Sequence, residues 1–292
     1  MQLAEVKLGL TEVEREQGPV QVIALTSGSR GTGKTNIAVN LAHALARSGR
    51  RTMLLDADLG ASNVDALLGL APAQNLFDVM NGDCRLDDII LTYTDGLMVV
   101  PAASGTRQLA QLGCNECAGL VRAFSELDRP LDTLIVDTAT GVSECVASFC
   151  RAASEVLVVV RNQSAAILES IAQMERLTAD FGVIRFRILA NRVASAAEGE
   201  AVFRKIITGL ADDHRQTLSY AGFVPRDRHL MQATAGQTSV VSAFPRSRVA
   251  MSLVNLARQV SSWPQPVQPG GHVEFFVERM IQNENSGMEV TS

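Results

Sequence analysis

The chain has 292 residues, 47% of them hydrophobic, 20% charged and only 4% aromatic, with a net charge of −5. That much apolar content in a chain of this length supports a sizeable core and excludes a disordered polymer, while the acidic balance argues against direct binding of nucleic acid. No stretch has the length and hydropathy of a membrane span, and none has the basic, apolar and small-residue order of a signal peptide, so a cytoplasmic location is expected.

In chain order, residues 1–18 are polar and charge-rich and read as an arm outside the core, with Leu3, Val6, Leu10 and Val13 at helical spacing. Short β-branched or aliphatic runs then recur: VQVIALT (20–26), TMLLD (52–56), LMVVP (97–101), TLIVD (133–137), VLVVV (156–160), RILAN (187–191) and YAGFV (220–224). Each is too short for a helix and too continuous for a strand with one wet face, which is the pattern of strands buried on both faces. Helical stretches lie between them. In TNIAVNLAHALARSG, Ile37, Leu41 and Leu45 recur every four residues and Gly49 offers a stop; segments 116–127 and 165–181 are similar. Alternation of this kind predicts an α/β fold with a three-layer, doubly wound, mostly parallel sheet.

The five cysteines, Cys84, Cys114, Cys117, Cys145 and Cys150, are odd in number and scattered. They read as a reduced set rather than a disulfide framework, with Cys114 and Cys117 as small helix residues. Past residue 260 the segment SSWPQPVQPGG reads as a linker. In HVEFFVERMIQ, Val273, Phe276, Val277, Met280 and Ile281 form one stripe of an amphipathic helix. That helix either docks on its own domain or a partner, or makes reversible membrane contact through 272–281. The expected division is an arm at 1–18, a nucleotide-binding domain at 19–260, and a linker with a C-terminal amphipathic helix at 261–292.

TSGSRGTGKTN, residues 26–36, contains the phosphate-loop pattern Gly-x4-Gly-Lys-Thr between a predicted strand and a predicted helix. Backbone amides of such a loop and the helix N-terminus supply donors and positive potential to phosphate oxygens. Gly28, Ser29, Arg30, Gly31, Thr32, Gly33, Lys34, Thr35 and Asn36 are therefore expected to hold the phosphates, with Lys34 on the β- and γ-groups and the Thr35 hydroxyl on Mg2+. Asp137 ends a predicted strand, where a carboxylate would hold the metal's water shell. Asp56 and Asp58 end another, and one of the two can orient an attacking water unless they form an ordinary acidic turn.

SGSRGTGKTNIAVNLA, LLDADLGASNVDALLGL, VVPAASGT and LIVDTATG together resemble the landmarks of the MinD/ParA class of deviant phosphate-loop ATPases. Within that class the chain is most similar to the flagellar-number branch called FlhG or FleN, through DADLGxxNVDxLLGL, PAASGT, ANRV, GFVPRD, AFPRS and HVEFFVERM, over roughly residues 19–281. The resemblance implies ATP and Mg2+ as cofactors, with Lys34 and Asp58 catalytic and Thr35, Asp58 and Asp137 at the metal. It further implies Asn191 and Arg192 at the adenine, with Pro225 to Asp227 closing the base pocket. Family members form a homodimer around ATP and restrain a FleQ-type transcriptional activator. They also work with an FlhF-type GTPase, and their tail anchors them at the inner face of the membrane or a cell pole. Enzyme activity would be a slow ATPase.

The chain departs from that pattern at Ser29, where the class has a lysine that crosses the dimer, at Arg30 in place of glycine, at RNQSAAILES after the strand at 156–160, and at Thr140. The arm lacks a clear copy of the motif that stimulates a GTPase partner. A serine cannot supply the charge that stabilises a developing phosphoryl transition state. Two alternatives therefore stand beside the slow ATPase: a nucleotide-binding paralogue that acts as an adaptor without useful hydrolysis, and a ParA-type partition ATPase.

Overall fold

A computed structural model describes residues 19–60, 63–102, 113–211, 218–264 and 274–276. Eight strands form one sheet: β1 (Gln21–Thr26), β2 (Thr52–Ala57), β3 (Leu91–Thr92), β4 (Met98–Val100), β5 (Thr133–Thr138), β6 (Glu155–Arg161), β7 (Phe186–Val193) and β8 (Leu218–Pro225). Their order is β3-β4-β2-β5-β1-β6-β7-β8, parallel throughout except for the β3/β4 pair. All seven apolar runs read from the sequence are strands. β1, β2 and β5 are buried along their whole length, which is why their residues are apolar without alternation. β3, a two-residue edge strand, is too short to leave a hydropathy signal.

Among the described residues the α-helices are α1 (Lys34–Arg47), α2 (Val64–Leu68), α3 (Leu76–Met80), α4 (Cys114–Ser125), α5 (Glu144–Ala152), α6 (Ser164–Phe181), α7 (Ala196–Gly209), α8 (Arg228–Ala235), α9 (Val240–Ala243) and α10 (Arg248–Val260). On one face of the sheet, Leu41 and Leu45 of α1 pack with Val249, Leu253 and Leu256 of α10. On the other, Phe124, Phe149, Met174 and Val202 bring α4, α5, α6 and α7 together. The three predicted layers are present. Because the chain runs from β1 to β2 on one side and later from β5 across β1 to β6 on the other, the crevice at the carboxyl end of β1 is the place where such sheets bind ligands.

Two expectations are corrected. Cys117 and Cys145 form a disulfide with Cα atoms 5.5 Å apart, because α4 and α5 pack side by side over the same sheet face. Cys84 and Cys150 are free thiols, and burial pushes the Cys150 thiol up to about 12. At the C-terminus, residues 274–276 make a turn rather than part of a helix, with Phe276 at φ 57. Phe275 and Phe276 are both buried against Phe124, so the one-sided stripe, which would turn Phe275 outward, does not hold here. The rest of 272–281, the linker at 265–271 and the arm at 1–18 lie outside the described residues. Trp263 belongs to the packed body, with the Arg187 guanidinium 4.2 Å over its ring and Arg187 paired to Glu155.

Candidate functional site

The loop from β1 to α1 sits at the sheet's switch point. Gly31 (φ 73) and Gly33 (φ 90) take the left-handed backbone that other residues adopt at a cost. A Cβ at Gly28 would lie 2.4 Å from the backbone of Glu169, so only glycine lets the loop rest on α6. α1 opens at Lys34 with no capping side chain and no acidic residue in its first turn, which leaves its N–H groups for an anion.

Strand register brings the carboxylates to this loop: Leu25 of β1 lies opposite Asp137 of β5, and Asp137 opposite Asp56 of β2. Lys34 Nζ donates to Asp137 Oδ1 at 2.8 Å, with side-chain exposures of 5% and 0%. Asp137 Oδ2 is buried and has no hydrogen-bond partner among the described residues. The two acidic residues of the β2 turn divide their work. Asp56 is buried and accepts from the N–H groups of Asp58, Asn63 and Val64, so it shapes the turn, whereas Asp58 lines the cavity.

That cavity, about 620 Å3, is lined by Arg30 through Asn36 together with Asp58, Thr140 and Arg192. Arg30 is exposed at its edge. A second cavity adjoins it at the ends of β7 and β8 and contains Pro225 and Asp227. Asp227 caps α8 by accepting from His229 N, also takes His229 Nδ1 at 2.7 Å, and meets Val249 N. Burial alone would raise its carboxyl, but these hydrogen bonds outweigh burial and hold it below the usual range. Asn191 is buried behind the loop, where Nδ2 donates to Thr32 O at 2.7 Å and Oδ1 accepts from Arg192 N. This second bond holds Arg192 in a left-handed backbone at φ 58. Burial first, then the charges of Arg161 and Arg226, lower the Arg192 pKa.

Gln173 of α6 was not singled out in the sequence. It is buried, and its Nε2 donates both to Thr26 Oγ1 at 2.8 Å and to Gly141 O at 2.7 Å, while Gly141 N donates to Ser27 O. The root of the phosphate loop and the turn after Asp137 are thereby joined. A polar residue on the same buried helix face as Ile167, Ser170 and Met174 was the available signal. Thr234, which donates to Asn36 Oδ1 at 2.9 Å and lines both cavities, left none.

The loop glycines, the buried lysine and the unmatched oxygen of Asp137 fit a nucleotide phosphate chain with a divalent cation. Residues 23–240 match the family model of the CobQ/CobB/MinD/ParA nucleotide binding domain. The chain is 48% identical over 273 residues to the antiactivator FleN of Pseudomonas aeruginosa, covering 93% of this chain and 97% of that protein. It is 29% identical to the flagellum site-determining protein YlxH of Helicobacter pylori, over 65% of this chain and 64% of that one. Among solved structures, the septum site-determining protein MinD of Pyrococcus horikoshii, complexed with Mg-ADP, superposes with a TM-score of 0.69 at 21% identity, covering 83% of this chain and 96% of that one.

Proposed function

Because the chain belongs to the CobQ/CobB/MinD/ParA nucleotide-binding family, on the branch of the antiactivator FleN, we propose that it is an ATP-dependent switch that regulates flagellar number. In this reading it binds ATP with Mg2+, forms a homodimer in that state, hydrolyses ATP slowly, and restrains a FleQ-type transcriptional activator. An FlhF-type GTPase is a second partner, and the tail beyond Phe276 brings the protein to the membrane or pole. Among the described residues no helix is long and apolar enough to cross a membrane.

The observation that carries the reading is the buried Lys34–Asp137 pair beneath the glycine loop, with Asp137 Oδ2 unmatched. Lys34 would exchange Asp137 for the β- and γ-phosphate oxygens, and the amides of Gly31 to Thr35 would take the rest. Thr35 and Asp137 would hold Mg2+, which neutralises phosphate charge. Asp58, at the cavity wall, would orient water for in-line attack. Asn191 holds the loop carbonyl of Thr32, and Arg192 beside it lines both cavities.

Ser29 and Arg30 favour a second reading, an adaptor that binds ATP without useful turnover, because the loop's outer edge carries an exposed guanidinium and a neutral hydroxyl. Steady-state phosphate release, measured at protein concentrations that allow dimerisation, separates the two. The switch predicts turnover at least ~10-fold above both Lys34→Ala and Asp58→Ala. Turnover equal to these variants with ATP still bound selects the adaptor. The net charge of −5 weighs against a DNA-partition role.

A further inference from the structure

At the carboxyl ends of β6, β7 and β8 a cavity of about 1220 Å3 opens beside the phosphate loop and shares Asn36, Arg192 and Thr234 with it. This exceeds the ~300–1,000 Å3 typical of a small-molecule site. Arg161, Arg192, Arg226, Arg228, Arg246 and Arg248 line it, and among the described residues none of them is paired with a carboxylate. In a chain with a net charge of −5, this is a concentrated reversal of sign.

The arginines are placed against local preference. Arg228 and Arg248 each occupy the first position of a helix, α8 and α10, whose first turns hold no acidic residue. A cation there opposes the helix dipole, so holding both guanidiniums at this mouth costs stability; the terminus of α10, capped by the neutral Ser247, adds its own positive potential, whereas Asp227 caps α8. Among the described residues the one carboxylate on the wall, Asp227, is occupied by His229 and the N–H of Val249. Apolar surface lies among the charges, where Met231 is 70% exposed beside Leu230.

A nucleotide in the adjoining site does not balance this charge. Its phosphates belong at Lys34, and only its uncharged base and ribose would face the arginines. An acidic protein segment with an apolar side chain matches both the guanidiniums and Met231. Duplex DNA would match the guanidiniums but leave Met231 and Leu230 without a partner, and it would meet an acidic protein. We propose that this cleft is the docking surface for an acidic segment, carrying an apolar anchor, of the transcriptional activator; the inference rests on the regulatory function proposed above. Since Asn36, Arg192 and Thr234 face both cavities, the bound nucleotide and the docked segment touch the same side chains, and each biases the other's affinity.

The test is titration of the full-length protein, loaded with a non-hydrolysable ATP analogue, with the purified activator of the same organism at two salt concentrations. The triple charge reversal Arg228→Glu, Arg246→Glu, Arg248→Glu is expected to weaken activator binding at least ~10-fold and to flatten its salt dependence. Affinity for the ATP analogue should stay within about twofold, since these side chains are exposed and glutamate suits the first turn of a helix. The corresponding triple lysine variant keeps the charge and should retain most of the binding. Equal binding by wild type and the reversed variant, or a loss seen only with a 30-base-pair duplex probe, overturns the cleft as the activator's site. Absence of activator binding by the wild type overturns the regulatory reading itself, a different result from selective loss in the variant.

Discussion

Lys34 and Asp137 form an ion pair with almost no exposure, so removing one partner leaves the other as an uncompensated buried charge. Lys34→Ala is therefore expected to abolish binding of a fluorescent ATP analogue and also to destabilise the fold by about 3–5 kcal/mol. Urea titration checks the second effect. Lys34 was legible in the sequence because the phosphate-loop pattern is contiguous and its spacing is set by one backbone turn. Asp56 and Asp58 were legible only as a pair. Which of them folds the turn and which faces the cavity depends on three N–H groups, two of which lie seven and eight residues onward, at Asn63 and Val64. Asn191 was placed at the adenine by resemblance alone, and its buried bond to the Thr32 carbonyl lies 159 positions away in sequence, where no local pattern reaches.

Among the elements, α1 has a side that the phosphate loop does not use. His43 is buried there, within 2.9 Å of Asp95 and edge-on to the Tyr93 ring. Burial, which outweighs the hydrogen bond and charge of Asp95, lowers its pKa below the ordinary 6.5. Below that value the unfolded chain binds a proton that the folded chain resists, so this contribution to stability is present near neutral pH and is lost as pH falls. Thermal unfolding between pH 7.5 and 5 should show a falling midpoint, with a smaller fall in His43→Gln. At the other end, Phe275 stacks on Phe149 and meets Phe124 edge-on. Phe275→Ala should cost about 3–5 kcal/mol in denaturant titration, an effect that a tail riding outside the domain would not produce. Helix and strand identities here were readable from periodicity. The docking of Phe275 was not, because the stripe read through Val273, Phe276 and Val277 left Phe275 off its apolar face, and the left-handed backbone at Phe276 breaks that period.

At the scale of the molecule, the alternation of short apolar runs with amphipathic segments made the mostly parallel, doubly wound architecture readable. Charge distribution was not readable in this way. A net value of −5 conceals six arginines drawn from four separate stretches of chain onto one end of the sheet, so surface potential emerges only once the strands are stacked. The same stacking lays α6 along the back of the phosphate loop, close enough that Gly28 has no room for a side chain. Gly141 is held on both sides of its peptide, by the Gln173 amide at its carbonyl and by Ser27 at its N–H. The turn that follows Asp137 therefore behaves as a pinned joint in a small rigid truss. Displacing it requires either breaking the Gln173–Gly141 hydrogen bond or carrying α6 along, so motion at the Asp137 end of the site would appear as a shift of an 18-residue rod on the protein's flank.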